Sequence, residues 1–352
     1  MKYTKSIFKV KHTPKDFLVK EVSLFPKLCD REDATYTYIW VEKVGYTTFE
    51  VQRIICQYFD LNPKDVSAQG LKDEDGITLQ TISVRKHLNQ NDVLRFNNQH
   101  INRPGICTIK EILGYGKKTV TPKALHGNTF TVTVRSVAVE LADKIAETFH
   151  LNNDFEFINY YDLQRFGLPG GPYNAHLIGE LIIQGNWKSA LAEFCCTKNI
   201  TPELEANLPT NQSEENCRHF FLNQVGYKLV SFFISSYNSN IWNQKVSNFL
   251  KELSYLNTKD LPELELGKLQ IPTTNITQIP LYLSIDAFQL KEEGNLVTSK
   301  KNRLLVVPTK IYCQEPESDE FHPGKVKLSM SFFLPTGSYA TMLLKQIECR
   351  FR

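Results

Sequence analysis

"GNTFTVTVRSVAVELADKIAETF", residues 127–149, joins two hydrophobic periods. Phe130, Val132 and Val134 alternate with Thr129, Thr131, Thr133 and Arg135, the two-residue repeat of a strand with one buried and one polar face. The strand runs directly into "VAVELADKIAETF", which reads as helix. Upstream, "TYTYIWVEK" (35–43) is rich in β-branched and aromatic residues and reads as a second strand. In "TTFEVQRIICQYF" (47–59), Thr47 and Glu50 form a capping box, and Phe49, Ile54, Ile55, Tyr58 and Phe59 lie close to helical spacing. Asn62-Pro63 then marks a turn. Strands alternating with helices point to an α/β or α+β class.

Downstream, "RFGLPGGPYN" (165–174) concentrates glycine and proline, and the pattern changes. The next 130 or so residues read mainly as helix, notably "AHLIGELIIQGNWKSALAEFCC" (175–196) and "KLVSFFISSYNSNIWNQKVSNFLKEL" (228–253). Strand signals return at "RLLVVPTKIYC" (303–313) and "KVKLSMSFFLP" (325–335). A helical insertion between two parts of one sheet domain is the economical reading.

The 352 residues suffice for one large or two medium domains, and 41% apolar with 22% charged residues is the composition of a globular protein. No apolar run approaches the roughly 18 residues that cross a bilayer, and residues 1–17 contain no export-type apolar core, so no membrane association and a cytoplasmic location are expected. The eight cysteines, Cys29, Cys56, Cys107, Cys195, Cys196, Cys217, Cys313 and Cys349, show no CxxC pair, which favours reduced thiols over zinc or disulfides. Net charge is +3, from 41 basic and 38 acidic residues, so any polyanion-binding surface must come from local clusters. Lys117-Lys118, Lys300-Lys301 with Arg303, and Arg350 with Arg352 are the candidates.

"GLKDEDGITLQ" (70–80) sets a glycine near a lysine and three acids. Glycine lets a backbone approach a ligand closely, and a lysine beside an aspartate keeps the acid ionised. Taken alone, the stretch reads first as a solvated surface turn, and only its company favours chemistry.

Five other segments accompany it: "PKDFLVKE" (14–21), "LHGNTFTVTVR" (125–135), "INYYDLQRFG" (158–167), "SYNSNIWNQ" (236–244) and "FFLPTGSYAT" (332–341). In order and approximate spacing the six resemble the TruD family of tRNA pseudouridine synthases, across nearly the whole chain. The resemblance implies an α+β pseudouridine synthase fold, a mixed and mainly antiparallel sheet flanked by helices, interrupted by a mostly helical TRUD domain. The expected boundaries are 1–170 and 303–352 for the catalytic domain and 171–302 for the insertion. Its implied substrate is uridine 13 in the D arm of tRNA, with other RNAs in some relatives. No cofactor, no metal and no obligate protein partner are expected.

The implied reaction detaches uracil from C1′ of the ribose, turns it and rejoins it through C5, which requires a carboxylate at the sugar. In the family pattern G-x-K-D-x-x-A-x-T-x-Q that acid is Asp73; Glu74 and Asp75 stand where basic or polar residues are usual, and Gly76 replaces the alanine. Phe17 and Tyr339 match aromatic positions that contact the target nucleotide, and Asn159 an asparagine that touches the substrate. Read without the family, these would be a strand core residue, a core tyrosine and a turn residue. Lys11 is expected to pair with Asp73 or meet a phosphate, and Lys72 is the competing partner. Tyr161 replaces a common phenylalanine, and Gln164, Arg165 and Phe166 fit either an RNA contact or a structural brace.

Several positions depart from the pattern: "LLKQ" (343–346), Asn302-Arg303 in place of paired arginines, Phe249 for arginine and Lys123 for glycine. Two other functions compete with the enzyme, an RNA chaperone on the same fold without catalysis and a metal-assisted hydrolase. The latter lacks ligand-spaced histidines or carboxylates.

Overall fold

The structure is a computed structural model that describes residues 8–24, 26–72, 74–100, 105–168, 171–197, 200–261, 269–273, 276, 278–291 and 294–352. The described chain gathers into two compact units. One comprises Ile7–Phe155, Thr309–Ala340 and Phe351–Arg352; the other is built from Glu156–Pro308 and Thr341–Arg350. The segment expected as an insertion, 171–302, falls wholly inside the second.

The first unit carries β1 (Phe17–Ser23), β2 (Tyr36–Val44), α1 (Thr48–Phe59), β3 (Val66–Ala68), β4 (Ile77–Val84), α2 (Gln90–His100), β5 (Ile106–Gly116), β6 (Leu125–Val137) and α3 (Val139–Phe149). β7 (Asn153–Ile158) leads into the second unit, which holds α4 (Ala175–Ile183), α5 (Trp187–Cys195), α6 (Pro202–Ala206), α7 (Glu214–Phe220), α8 (Tyr227–Glu252), β8 (Thr258–Leu261), β9 (Leu269–Pro272), β10 (Tyr282–Leu290) and β11 (Leu296–Leu304). β12 (Val306–Cys313) returns to the first unit, followed by β13 (Glu317–Ser318) and β14 (Val326–Pro335), and α9 (Ala340–Phe351) closes the chain.

In the first unit the strands run in the order β5-β2-β4-β1-β6-β14-β12. β1 and β4 are parallel, with Leu18 opposite Ile77, while β1–β6, β2–β4, β2–β5, β6–β14 and β12–β14 are antiparallel. The expected mixed, mainly antiparallel sheet is therefore present. On β6, Phe130, Val132 and Val134 are buried as the alternation requires. Arg135 departs from it: expected on the polar face, it is only 5% exposed, because Asp16 and Asp319 compensate its charge inside the fold.

The α1 cap forms as read: Thr47 Oγ1 accepts from the Glu50 amide, and the Glu50 carboxylate accepts from the Thr47 amide. Ile54, Ile55 and Phe59 join Val41, Ile82 and Phe96 in a core against the sheet, whereas Phe49 is exposed and Val51 takes the buried position instead.

The second unit is less helical than its composition suggests. β8 and β9 form one hairpin, and β10 and β11 another, in a stretch expected to continue as helix. β11 is mostly exposed and carries Lys300, Lys301 and Asn302, so it offers little apolar alternation to read. α8 holds polar residues at buried positions, Ser236, Asn238, Ser239, Asn243 and Ser247, among its apolar ones.

Side-chain amides act as extra backbone partners in both units. Asn97 exchanges two hydrogen bonds with the Ile109 main chain, Asn238 two with Phe288, Asn243 two with Tyr161 and Gln346 two with Ile158. Each satisfies a main-chain N–H and C=O that would otherwise be left without a partner in the interior.

Candidate active site

The chain approaching β4 is tied down on both sides of position 73, which itself lies outside the described residues. The Lys72 amide donates to Thr48 Oγ1 at 3.0 Å, and Thr48 Oγ1 in turn donates to Gln80 Oε1 at 3.1 Å. The Lys72 carbonyl accepts from Lys43 Nζ at 3.3 Å, and the Glu74 carbonyl accepts from the Gly45 amide at 3.1 Å. Lys43, Thr78 and Gln80 are fully buried, so the motif rests on a polar floor built from β2, β4 and the start of α1. Glu74 and Asp75 are exposed.

Lys72 is not offered outward. Its ammonium lies 2.6 Å from Glu21 Oε1 on β1, with the two side chains 5% and 0% exposed, and Glu21 Oε2 accepts from the Thr81 amide. A buried carboxylate of this kind needs both partners to offset its lost hydration. Lys72, expected as a substrate-binding cation, is thus paired with Glu21 in this structure.

Phe17 and Lys11 are brought together. The Lys11 ammonium stands 4.5 Å from the centre of the Phe17 ring, and Phe130 packs edge-on against the same ring at 5.9 Å. Lys11 takes a positive φ of 58°, a conformation that costs a non-glycine residue energy. Gly76 explains its own departure from alanine, because a Cβ there would lie 2.5 Å from the Phe17 carbonyl oxygen. Tyr339 is half-buried and follows β14 beyond the Pro335–Gly127 pair, at the end of the ladder opposite Val326–Val137.

Asn159 belongs to the second unit and is 2% exposed. Its Nδ2 donates to the Leu304 carbonyl at 3.0 Å, its Oδ1 accepts from Arg303 Nη2 at 3.1 Å, and its carbonyl accepts from Trp242 Nε1 at 2.9 Å. The amide expected to meet the substrate is thus already partnered. The Arg303 guanidinium lies 3.8 Å above the Tyr161 ring, and that of Arg165 lies 5.8 Å from it. Arg165 bonds Ser235 and Ser239 of α8, and Ser236 donates to its carbonyl, so the brace reading of this run is the one the geometry supports.

Glu21, Asn243, Lys345 and Gln346 carry no site signal in the sequence, and Arg303 stands there only in a basic cluster. Lys345 pairs with buried Asp162 at 2.7 Å, so the departing "LLKQ" run supplies two residues that hold the 158–162 segment. The spacing of Ser236, Ser239 and Asn243 on one helical face is the signal that points to this grip. Arg350, grouped with Arg352 as a basic cluster, instead donates to the Glu156 carbonyl at 2.6 Å, and burial pulls its pKa down to about 10.

The family description "tRNA pseudouridine synthase D (TruD)" matches residues 5–215. A tRNA pseudouridine synthase D from Aquifex aeolicus is 25% identical over 97% of this chain and 98% of its own length. Another from Syntrophotalea carbinolica is 25% identical over 96% of this chain and 95% of its own. The crystal structure of a Methanosarcina mazei chain assigned as tRNA pseudouridine synthase D superposes with a TM-score of 0.58 at 18% identity, covering 99% of this chain and 95% of that one, which supports the fold. With the family match extending over more than half of its length, the chain belongs to the TruD family and is a pseudouridine synthase acting on tRNA.

Proposed function

We propose that this chain converts uridine 13 in the D arm of tRNA to pseudouridine, with Asp73 as the catalytic carboxylate. The C1′–N1 bond breaks, the freed uracil turns, C1′ bonds to C5, and the C5 proton is lost while N1 gains one. The exchange is redox-neutral, and Asp73 acts at the ribose, as a nucleophile or as a base. The supporting observation is the anchoring of both neighbours of Asp73: Lys72 through Thr48, Lys43 and Glu21, and Glu74 through Gly45. Anchoring the chain on either side of a reacting residue lowers what substrate binding must spend on positioning it.

Phe17 and Tyr339 supply apolar faces for the target nucleotide, and Lys11 supplies a cation for a phosphate or for Asp73. A base stacking on Phe17 takes the ring face that Lys11 now covers. Asn159 reads the uracil by exchanging its bond to Arg303 or Leu304. Lys72 acts indirectly, by fastening the loop to β1. In this reading the catalytic domain comprises 1–170 and 303–352 around a TRUD domain at 171–302, and the enzyme works in the cytoplasm, without cofactor, on tRNA and possible further RNAs.

The test is incubation of unmodified tRNA with the wild-type chain and with Asp73→Asn, followed by mapping of pseudouridine. Wild type is expected to modify position 13 with chelator present. Asp73→Asn is expected to bind tRNA within a few-fold and to form none, because the amide neither attacks nor accepts a proton. Turnover by Asp73→Asn sinks the assignment of the acid, and binding without modification by wild type favours an RNA chaperone.

A further inference from the structure

In the first unit, the strand end at which β1 and β14 begin carries an ionic cluster that the proposed reaction does not use. Register locates it: Phe17 opens β1 opposite Val132 of β6, Leu18 pairs with Ile77 at the start of β4, and Val326 opens β14 opposite Val137. Gly76 at the entry to β4, the segment before Phe17 and the loop before β14 therefore emerge together. Lys9 adds to this edge by exchanging two main-chain hydrogen bonds with Arg135.

The cluster has an interior of buried ion pairs and an exterior that carries aromatic rings and lysines beside Glu320. Arg135 bonds Asp16 through two of its nitrogens, at 2.9 Å each, and reaches Asp319 and Glu320 at 3.1 Å. Asp16 and Asp319 are 2% and 5% exposed. Asp319 also accepts from the Ser136 and Phe321 amides, and Ser136 is held at a positive φ of 64°. On the outside, Phe321 is 48% exposed, with its ring 4.6 Å from the Arg135 guanidinium and 4.7 Å from the exposed His12 ring, which is tilted by 50° against it. His322 is bonded by Nδ1 to Asp319 at 2.8 Å and by Nε2 to exposed Lys9 at 2.9 Å. Exposed Lys325 is fixed in the same loop, its amide donating to the His322 carbonyl and its own carbonyl accepting from the Asp319 amide.

We propose that Phe321 and His12, flanked by Lys9 and Lys325, form a platform for the tRNA substrate that stacks an unpaired base and takes backbone phosphates beside the target nucleotide. The chemistry favours nucleic acid: an aromatic face binds any base, nearby ammonium groups suit phosphates, and the neighbouring carboxylates are paired, Asp16 and Asp319 buried against Arg135 and the exposed Glu320 bonded to Arg135 and Lys327. The contacts of Phe321 with Arg135 and His12 reduce the side-chain entropy it has to lose on binding. The inference rests on the family's tRNA substrate, and it adds a binding surface outside the residues assigned to the reaction.

The experiment measures binding of an unmodified tRNA transcript to the full chain across a potassium chloride series, with single-turnover pseudouridine formation at saturating enzyme alongside. Phe321→Leu is expected to weaken binding about 5- to 150-fold, the range for losing one base-stacking ring, with the salt slope unchanged. Phe321→Trp is expected to bind as wild type does. Lys9→Gln combined with Lys325→Gln is expected to lower the log–log salt slope by about 0.7 to 0.9 for each phosphate that is no longer neutralised. Melting temperatures are measured in parallel, so that any loss from the Phe321–Arg135 and Lys9–His322 contacts is separated from binding, and the chemical step at saturation is expected to persist. Unchanged affinity in Phe321→Leu, or an equal loss in Phe321→Trp, overturns the platform. A wild-type chain that binds tRNA but forms no pseudouridine overturns the catalytic reading and leaves the platform standing on its own binding data.

Discussion

Glu21 and Lys72 form a 2.6 Å ion pair inside the first unit, one residue before the acid that the family pattern selects. The pair ties the motif loop to β1, and its geometry separates two uses of a lysine beside an aspartate. A lysine that met RNA would be solvated; this one is 5% exposed and electrostatically committed.

Glu21→Gln is expected to be far more damaging than its conservative shape suggests. It leaves the Lys72 ammonium buried beside a neutral amide, and breaking one side of a buried pair costs about 3–5 kcal/mol. Urea unfolding of Glu21→Gln and of Glu21→Gln with Lys72→Met checks this. The double variant should recover much of the loss, since it removes the stranded charge, while recovery of tRNA modification should be smaller because the loop has lost its anchor.

Gly76→Ala carries the residue that the family pattern favours, and here it is expected to lose both stability and activity. The added methyl meets the Phe17 carbonyl at 2.5 Å and the Phe17 ring at 3.2 Å, so β1 or the motif loop must shift. Overpacking of this kind costs about 1–3 kcal/mol. A melting temperature and KM for tRNA equal to wild type would show that the loop yields freely.

Legibility in the sequence follows locality. The alternation in β6 and the Thr47–Glu50 cap are set by residues within one element, and both form as read. Arg135 is buried against its own alternation because its partners, Asp16 and Asp319, lie 119 and 184 residues away. Phe17 and Lys11 meet as neighbouring members of one short segment, whereas the Lys72–Glu21 pair and the enclosure of Asn159 by Arg303, Leu304 and Trp242 are tertiary facts without a local period. The β10–β11 hairpin escapes a reading by pattern because its exposed strand carries charge where apolar alternation would have marked it.

The segment carrying Asn159 and Tyr161 is gripped from two helices, and the grip should matter more to turnover than the same device does elsewhere. Gln346 of α9 bonds both main-chain groups of Ile158 at 2.9 and 2.8 Å, and Asn243 of α8 bonds both of Tyr161 at 2.9 Å. Gln346→Met and Asn243→Leu keep volume and remove the amides, leaving unpaired groups that cost about 1–3 kcal/mol each. Asn238→Leu and Asn97→Leu do equal harm at Phe288 and Ile109 and serve as controls. Single-turnover rates well below each melting temperature should fall for the first two variants and hold for the controls. Equal rates in all four would reduce the grip to a purely structural one.

Acid should dismantle the Arg135 cluster before neutral or alkaline pH affects it. Burial raises the Asp16 and Asp319 carboxyls, but hydrogen bonds outweigh it: Arg135 and the Thr13 amide hold Asp16 below its usual range, and the Ser136 and Phe321 amides, His322 and Arg135 do the same for Asp319. The Arg135 hydrogen bond likewise draws exposed Glu320 down to about 2. A carboxylate with a depressed folded-state pKa stabilises the protein above its unfolded value, and that stabilisation disappears as pH falls through the folded one. The loss should therefore begin near pH 4.5 and continue towards pH 2. Asp319→Asn should lower the melting temperature at pH 7 and flatten the acid limb, because the amide binds no proton on unfolding. Parallel acid limbs for Asp319→Asn and wild type would assign the acid sensitivity to carboxylates elsewhere.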